Sequence, residues 1–305
     1  MHRALAFPGI GAGLSQTERA FYLQHGSQTR PLLELASAIA QEDLLAALVS
    51  PAYAPGAAAQ ELLVHALNCA AAEIARQHGL QPRLVLGHSL GLYAALVAAG
   101  SLNYPQSLAL VAGARAEVCR VCPPGNHALL VVIGLHEDEL LALAAASQAV
   151  AATIVNRNSR VAFAVAGPLG ELRELSVGAT RQGAFKVALL TADLPYHHPG
   201  LLAGVAEPFH RFLQHCEWAP PSIPVFSTLE HRPLGTVAEL IDYTTRNLTT
   251  PVDWCGTVSA LHGLGVKQVV ETGPGRSLQR AAAFIEPAPA HLSLAQAIQP
   301  NAPTV

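Results

Sequence analysis

The chain has 305 residues, of which 51% are hydrophobic and 13% are charged, and its formal net charge is −3. Such a chain can bury a sizeable core, and the lack of a basic balance argues against nucleic-acid binding. No apolar run reaches the roughly 20 residues of a membrane span, and Pro8 and Gly9 come too early for a signal peptide. The five cysteines fit a reduced compartment, so we expect a cytoplasmic location without a membrane partner.

Apolar patterning divides the first 125 residues into alternating strands and helices. An apolar strand over 3–7 leads into a glycine-rich loop, which lacks the Gly-Lys-Ser/Thr ending of a phosphate-binding loop. We expect this loop to bring its backbone to the active site. The other elements predicted here are helices over 31–49 (with a break at 41–43), 60–78 and 104–121, and a strand and helix between 84 and 100.

The stretch around Ser89 carries the strongest functional signal. An apolar run precedes Gly87-His88-Ser89-Leu90-Gly91, and an Ala/Leu-rich run follows it. Gly-x-Ser-x-Gly between a strand and a helix is the nucleophile-elbow pattern, which lifts a serine hydroxyl out of the sheet beside free backbone N–H groups. We predict that Ser89 attacks a carbonyl carbon; the alternative is a plain turn between two core elements.

The middle of the chain predicts a separate small unit. Its elements follow the order β-α-β-β-α-β, with strands over 127–133, 151–155, 161–166 and 184–190 and helices over 137–146 and 170–181. This order is that of the ferredoxin-like fold. We therefore predict an α/β fold in two parts: a large α/β-hydrolase-like domain with a parallel sheet (1–125 and 193–305) and an inserted ferredoxin-like subdomain (126–192).

The last third returns to the large domain and offers a general base. His197 and His198 lie between Pro195 and Pro199, in a loop suited to presenting an imidazole. Residue type alone leaves open which of the two acts, or whether both are surface residues. The remaining predicted elements are a helix through 213, a strand over 225–227, helices over 236–247 and 251–264, a strand over 267–271, a helix after 275 and a loosely packed tail after 287.

Four stretches together resemble one known family. They are Phe7-Pro8-Gly9-Ile10-Gly11, Gly87-His88-Ser89-Leu90-Gly91, Asn156-Arg157-Asn158-Ser159, and Thr250-Pro251-Val252-Asp253-Trp254 together with Glu271-Thr272-Gly273-Pro274-Gly275. In this order they resemble the motifs of the malonyl-CoA:acyl-carrier-protein transacylase family, which includes the acyltransferase domains of polyketide and fatty-acid synthases. The resemblance covers essentially the whole chain.

The resemblance implies a ping-pong acyl transfer through a Ser89 acyl-enzyme. Its spacing favours His198 as the base over His197, and a backbone carbonyl near Asp253 would orient that histidine. The oxyanion hole would use the backbone N–H groups of Ile10 and Leu90. The family implies no bound cofactor or metal: the phosphopantetheine thioester of CoA or carrier protein is the substrate, and an acyl carrier protein is the partner.

The acyl pocket departs from the malonyl pattern. Where malonyl-specific relatives carry a carboxylate-clamping arginine, a gap-free comparison puts Ala114, and Arg115 follows one residue later. Ile10 and Leu92 also make the pocket more apolar, while His88 and Asn158 are further candidate substrate-binding residues. We therefore expect a non-malonyl acyl group. The alternatives are a malonyl-CoA transacylase, an acyl-carrier-protein thioester hydrolase of the same fold and a non-catalytic docking module.

Overall fold

Two β-sheets organise the described residues, 2–11, 14–147, 149–190 and 194–299 of the computed structural model. The first part contains β1 (Arg3–Phe7), α1 (Gln16–Gln24), α2 (Gly26–Ala40), α3 (Ala46–Val49), α4 (Ala57–Gln77), β2 (Leu84–Gly87), α5 (Gly91–Ala98) and α6 (Tyr104–Val121). The middle part contains β3 (His127–Ile133), α7 (Glu137–Ala146), β4 (Thr153–Ser159), β5 (Ala162–Pro168), α8 (Leu169–Arg181) and β6 (Lys186–Leu190). The last part contains α9 (Ala206–Gln214), β7 (Val225–Phe226), β8 (Pro233–Leu234), α10 (Val237–Asn247), β9 (Val252–Asp253), α11 (Trp254–Gly263), β10 (Gln268–Glu271), α12 (Ser277–Ala282), β11 (Ala290–Ser293) and α13 (Leu294–Ala297).

The larger sheet has the strand order β11-β10-β1-β2-β7-β8. Its strands run parallel except for the β7–β8 pair. Along β1, Leu5 and Phe7 join the hydrophobic cluster on one face, whereas Ala4 and Ala6 join the cluster on the other. Both faces are therefore covered, which explains why the central strands read as continuous apolar runs.

The smaller sheet has the order β6-β3-β5-β4-β9. Its first four strands are antiparallel neighbours, and the order of β3 to β6 is that of the ferredoxin-like fold predicted from the sequence. The fifth strand comes from outside the predicted subdomain: β9 runs parallel to β4 and pairs Val252 with Asn156. The predicted boundary at 192 lies outside the described residues, so the domain limits stay a prediction.

Two glycines let the turn after β2 pack against the neighbouring backbone. A Cβ on Gly91 would stand 2.0 Å from the carbonyl oxygen of Phe7, and one on Gly87 would stand 2.1 Å from the backbone nitrogen of Leu92. Between them, Ser89 has a φ of 55°, the left-handed conformation that side chains rarely adopt. The chain therefore turns sharply from β2 into α5 only because both flanking positions lack a side chain.

The structure differs from the sequence expectation at both ends. Helix α1 was not expected, although Ser15 and Glu18 form a capping box that marks its start. The tail after Pro287 was expected to pack loosely, but β11 extends the larger sheet by pairing with β10, with His291 opposite Val269. Hydrogen bonding to an available strand edge is a tertiary effect, and local periodicity does not report it.

None of the helices among the described residues combines the length and apolar character that crossing a bilayer requires.

Replacing Gly91 by alanine should prevent stable folding of the elbow, because the new Cβ would overlap the Phe7 carbonyl oxygen. The matched control is Gly263→Ala at the end of α11, where a Cβ meets no atom within 4 Å. We expect the control to unfold at the same temperature as the wild type or slightly above it, since alanine favours a helix over glycine by up to ~1 kcal/mol. Thermal unfolding followed by circular dichroism compares the two; a Gly91→Ala protein as stable as the control would contradict this account.

Candidate active site

Ser89 and His197 form a hydrogen-bonded pair at the carboxyl end of the larger sheet. The Oγ of Ser89 lies 2.6 Å from Nε2 of His197. Ser89 stands at the tip of the elbow, directly before α5, whereas His197 lies in the loop that leads back from the small subdomain. Residues 108 positions apart thus meet as a nucleophile and a base would.

Backbone oxygens of the segment after α10 hold His197 in place. The backbone N–H of His197 donates to the carbonyl oxygen of Leu248 at 2.8 Å. Its ring Nδ1 lies 3.2 Å from the carbonyl oxygen of Thr250, an acceptor, so the proton of a neutral ring sits on Nδ1. Nε2 is then free to accept the hydroxyl proton of Ser89. A φ of 65° at His197 turns its ring toward the elbow.

Burial keeps the His197 ring neutral. The side chain is almost inaccessible to solvent, and desolvation lowers its pKa from 6.5 to about 4, although bonds to the backbone at Asn247 and Thr250 act in the opposite direction. The neighbouring ring of His88 is affected alike: desolvation, with a smaller contribution from His197, lowers its pKa to about 4. At neutral pH the base therefore stands unprotonated.

His198, the base favoured from spacing, is not beside Ser89. Its Nε2 donates to the carbonyl oxygen of Ala151 at 2.7 Å, and its Nδ1 accepts the backbone N–H of Leu201 at 3.1 Å. Both ring nitrogens are thus engaged with backbone of the large domain and of the small subdomain. The prediction of His198 is corrected to His197, because consecutive side chains leave the backbone in different directions and only one of them reaches the elbow.

Asp253 does not orient the histidine. Its carboxylate accepts the backbone N–H of Gly256 at 2.8 Å and so caps α11. The carbonyl oxygen that meets the His197 ring belongs to Thr250, three residues earlier. A backbone carbonyl fills this role, as the resemblance implied, but its position in the chain is corrected.

Asn247 is a site residue that the sequence analysis missed. Its side-chain Nδ2 donates to the backbone oxygen of Ser89 at 3.3 Å, and the residue is buried at the end of α10. Its side-chain oxygen has no hydrogen-bond partner among the described residues. The only sequence signal for Asn247 is that it lies three residues before Thr250, where one of the stretches that resemble the family motifs begins.

Two backbone N–H groups stand ready beside Ser89. Ile10 and Leu90 line the same pocket as the serine. Among the described residues neither backbone N–H has a hydrogen-bond acceptor. A donor without a partner next to a nucleophile suits an oxyanion, which needs pre-positioned N–H groups. The side chain of Ile10 is 51% exposed and lies at the mouth of the pocket.

The pocket that opens onto Ser89 has an apolar side and a polar side. Its lining consists of Ile10, Glu61, Ser89, Leu90, Tyr93, Val111, Ala114, Tyr196, His197, Asn247 and Leu248. Ala114 is among these residues, whereas Leu92, His88 and Asn158 are not. Leu92 is fully buried in the core, the His88 ring packs edge-on against Trp254, and Asn158 lies on β4 of the smaller sheet. The prediction that these three residues bind substrate is corrected, because none of them lines the pocket.

Arg115 is not among the residues that line the pocket, but it contacts the carboxylate of Glu61, which is. Its Nη1 donates to Oε1 of Glu61 at 2.7 Å. The hydroxyl of Tyr196 donates to the same carboxylate, at 3.0 and 3.2 Å from its two oxygens. Glu61 is 3% exposed and was not expected from the sequence, because a glutamate on a long amphipathic helix usually faces solvent.

The sequence from residue 57 to residue 287 matches the family model described as an acyl transferase domain. The chain belongs to this family. The acyltransferase predicted from the resemblance is confirmed at the level of the family, and the match spans both the elbow serine and His197.

Several similar proteins are malonyl transacylases. The chain is 29% identical over 205 residues to a malonyl CoA-acyl carrier protein transacylase of Salmonella typhimurium, over 67% of this chain and 66% of that protein. It thus spans slightly less than two thirds of that relative. Among solved structures, a malonyl-transacylase in complex with a type II polyketide synthase acyl-carrier protein superposes with a TM-score of 0.88 at 25% identity, covering 99% of this chain and 100% of that one.

A second solved structure, an acyl-carrier-protein S-malonyltransferase from Burkholderia pseudomallei, superposes with a TM-score of 0.86 at 25% identity, over 98% of this chain and 99% of that chain. The predicted fold class, an α/β-hydrolase-like body with a ferredoxin-like subdomain, is confirmed by these neighbours and by the two sheets.

The substitution His197→Ala should slow the reaction of Ser89 with a fluorophosphonate probe about 100-fold or more, because the hydroxyl loses its proton acceptor. His198→Ala is the matched control. Its labelling rate should stay within about tenfold of the wild-type rate, because losing a general base typically costs about 100-fold or more. Intact-mass spectrometry measures both rates. Equal losses in the two variants, or a larger loss in His198→Ala, would refute the assignment of His197.

The labelling rate should stay high well below the ordinary histidine pKa and fall only as the pH approaches about 4, where His197 becomes protonated. Between pH 6.5 and that value the unfolded chain binds a proton that folded His197 does not, so this residue makes the fold less stable as the pH falls. Circular dichroism at each pH separates lost reactivity from unfolding. A rate that halves near pH 6.5 in folded protein would contradict the lowered pKa.

Proposed function

We propose that this protein transfers a malonyl group from the thioester of CoA to the phosphopantetheine thiol of an acyl carrier protein, through an ester on Ser89. The observation that carries this is the Ser89–His197 hydrogen bond with the ring proton directed at Thr250, in a chain of the acyl transferase family. Serine activated by a neutral imidazole suits an acyl-enzyme. No permanently bound cofactor enters this proposal.

In the first half-reaction the Ser89 oxygen attacks the thioester carbonyl carbon while Nε2 of His197 takes the hydroxyl proton. The carbonyl oxygen becomes an oxyanion, and the N–H groups of Ile10 and Leu90 are its proposed donors. When the carbonyl re-forms, the carbon–sulfur bond breaks, and the departing CoA thiolate takes the proton from His197. The products are the Ser89 ester and the free thiol of CoA.

In the second half-reaction the roles of oxygen and sulfur exchange. The thiol of the carrier protein gives its proton to Nε2 of His197 and attacks the ester carbonyl carbon. The same two N–H groups stabilise the second oxyanion, and the ester bond to Ser89 then breaks. His197 returns its proton to the serine oxygen, so the enzyme ends as it began.

The comparisons favour malonyl over the non-malonyl acyl group expected from the sequence, and nothing in them supports that expectation. The relatives named above are malonyl transacylases, and one is solved with an acyl-carrier protein. An acyl carrier protein partner, a CoA donor and a cytoplasmic location are part of this proposal.

Incubation with malonyl-CoA should add one malonyl group to the wild-type protein and none to Ser89→Ala. Ser259→Ala, a change on the exposed side of α11, is the matched control and should accept the group normally. Intact-mass spectrometry measures the adduct. Adding a holo carrier protein should move the group onto the carrier. Release as free malonic acid without a loaded carrier would support the hydrolase instead, and absence of an adduct from any acyl-CoA would refute acyl transfer.

A further inference from the structure

We propose that Glu61 determines acyl selectivity, because its carboxylate competes with the carboxylate of the substrate for Arg115. This inference rests on the proposed acyl transfer and concerns the same pocket. Glu61 lies in the first part of α4, far along the chain from Ser89, yet both line one pocket. Glu61 is therefore a buried acidic side chain in the pocket that would hold the acyl group, and its presence there requires an explanation.

The surroundings of Glu61 provide several donors to its carboxylate. Arg115 on α6 donates to its Oε1 at 2.7 Å, and the side chains are 15% and 5% exposed. Tyr196 adds a hydroxyl donor at 3.0 Å. A buried carboxylate is retained only where a cation and further donors compensate for the lost water. Arg115 and Tyr196 therefore both compensate for the burial of this carboxylate.

An acyl group that enters the pocket comes close to Glu61 and its partner Arg115. A malonyl carboxylate would bring a further negative charge to a place where a carboxylate already pairs with this guanidinium. It must share Arg115 with Glu61 or displace it, and like charges in a buried site repel strongly. An uncharged acyl group, such as acetyl, meets no such repulsion. Glu61 therefore reduces the preference for malonyl over acetyl.

The pocket keeps one donor that Glu61 does not use. The hydroxyl of Tyr93 is buried, lines the pocket and has no hydrogen-bond partner among the described residues. Burial, and to a lesser degree the charge of Glu61, raise the pKa of this hydroxyl far above its ordinary value, so it stays protonated. It can donate to an oxygen of the acyl group, whichever group is bound.

The test compares the rates at which malonyl-CoA and acetyl-CoA acylate Ser89, measured by intact mass in separate reactions. Glu61→Gln removes the carboxylate that competes for Arg115 while keeping side-chain size. We expect the malonyl-to-acetyl ratio of kcat/KM to rise about tenfold or more, the usual effect of one added hydrogen bond to a charged group. Glu73→Gln, which affects a partly exposed glutamate paired with Arg76 on the same helix, is the matched control and should leave the ratio unchanged.

The double variant Glu61→Gln/Arg115→Gln isolates the guanidinium. It removes both charges together, so the gain for malonyl should disappear. If Glu61→Gln alone does not fold, Tyr196→Phe gives a second measurement: Glu61 loses a donor, depends more on Arg115, and the ratio should fall. A ratio that is unchanged or lower in Glu61→Gln, or unchanged or higher in Tyr196→Phe, overturns the inference. Failure of the wild type to form any adduct refutes the proposed acyl transfer instead.

Discussion

The close approach of the elbow to strand β1 is the constraint on which the site depends. The backbone N–H of His88 donates to the carbonyl oxygen of Phe7 at 2.9 Å, so the turn is bonded to the end of the neighbouring strand. Gly91 must lack a side chain for that oxygen to fit. The same contact brings the loop after Phe7 to the serine, which is why Ile10 lines the pocket. A tight turn thus supplies both the strained serine and the N–H groups around it.

The segment 247–250 contacts both members of the hydrogen-bonded pair Ser89 and His197. Asn247 bonds to the backbone of Ser89, whereas the carbonyl oxygens of Leu248 and Thr250 hold the backbone and ring of His197. Directly after it, β9 pairs with β4 of the small subdomain, and His198 bonds to Ala151 in the same subdomain. The packing of the subdomain therefore bears directly on the distance between serine and histidine. Small displacements at such a site alter rates strongly, because the reaction requires a narrow range of geometry.

The pocket beside Ser89 has a buried ion pair at its wall. Ala114 leaves the pocket wall without a cation of its own, while Arg115, one residue further along α6, is turned to Glu61. One residue on a helix is a rotation of about 100°, so a guanidinium at this position approaches the pocket from the side. The carboxylate of Glu61 lines the pocket and pairs with this arginine. In the proposed acyl transfer, selectivity then depends on how Glu61 and a substrate carboxylate share Arg115.

The sequence by itself determined most of the elements, the β-α-β-β-α-β order of the middle part and the serine of the elbow, because these depend on local periodicity and on glycines flanking one turn. Helix α6 and strand β3 lie at the predicted residues for that reason. Only the tertiary structure decided that His197 rather than His198 meets Ser89, since the direction of two consecutive side chains depends on a φ of 65° and on the carbonyl of Thr250. Glu61 likewise lines the pocket only because α4, α6 and the His197 loop pack together. The local sequence around a charged residue on a helix does not show which face of the helix folding will bury.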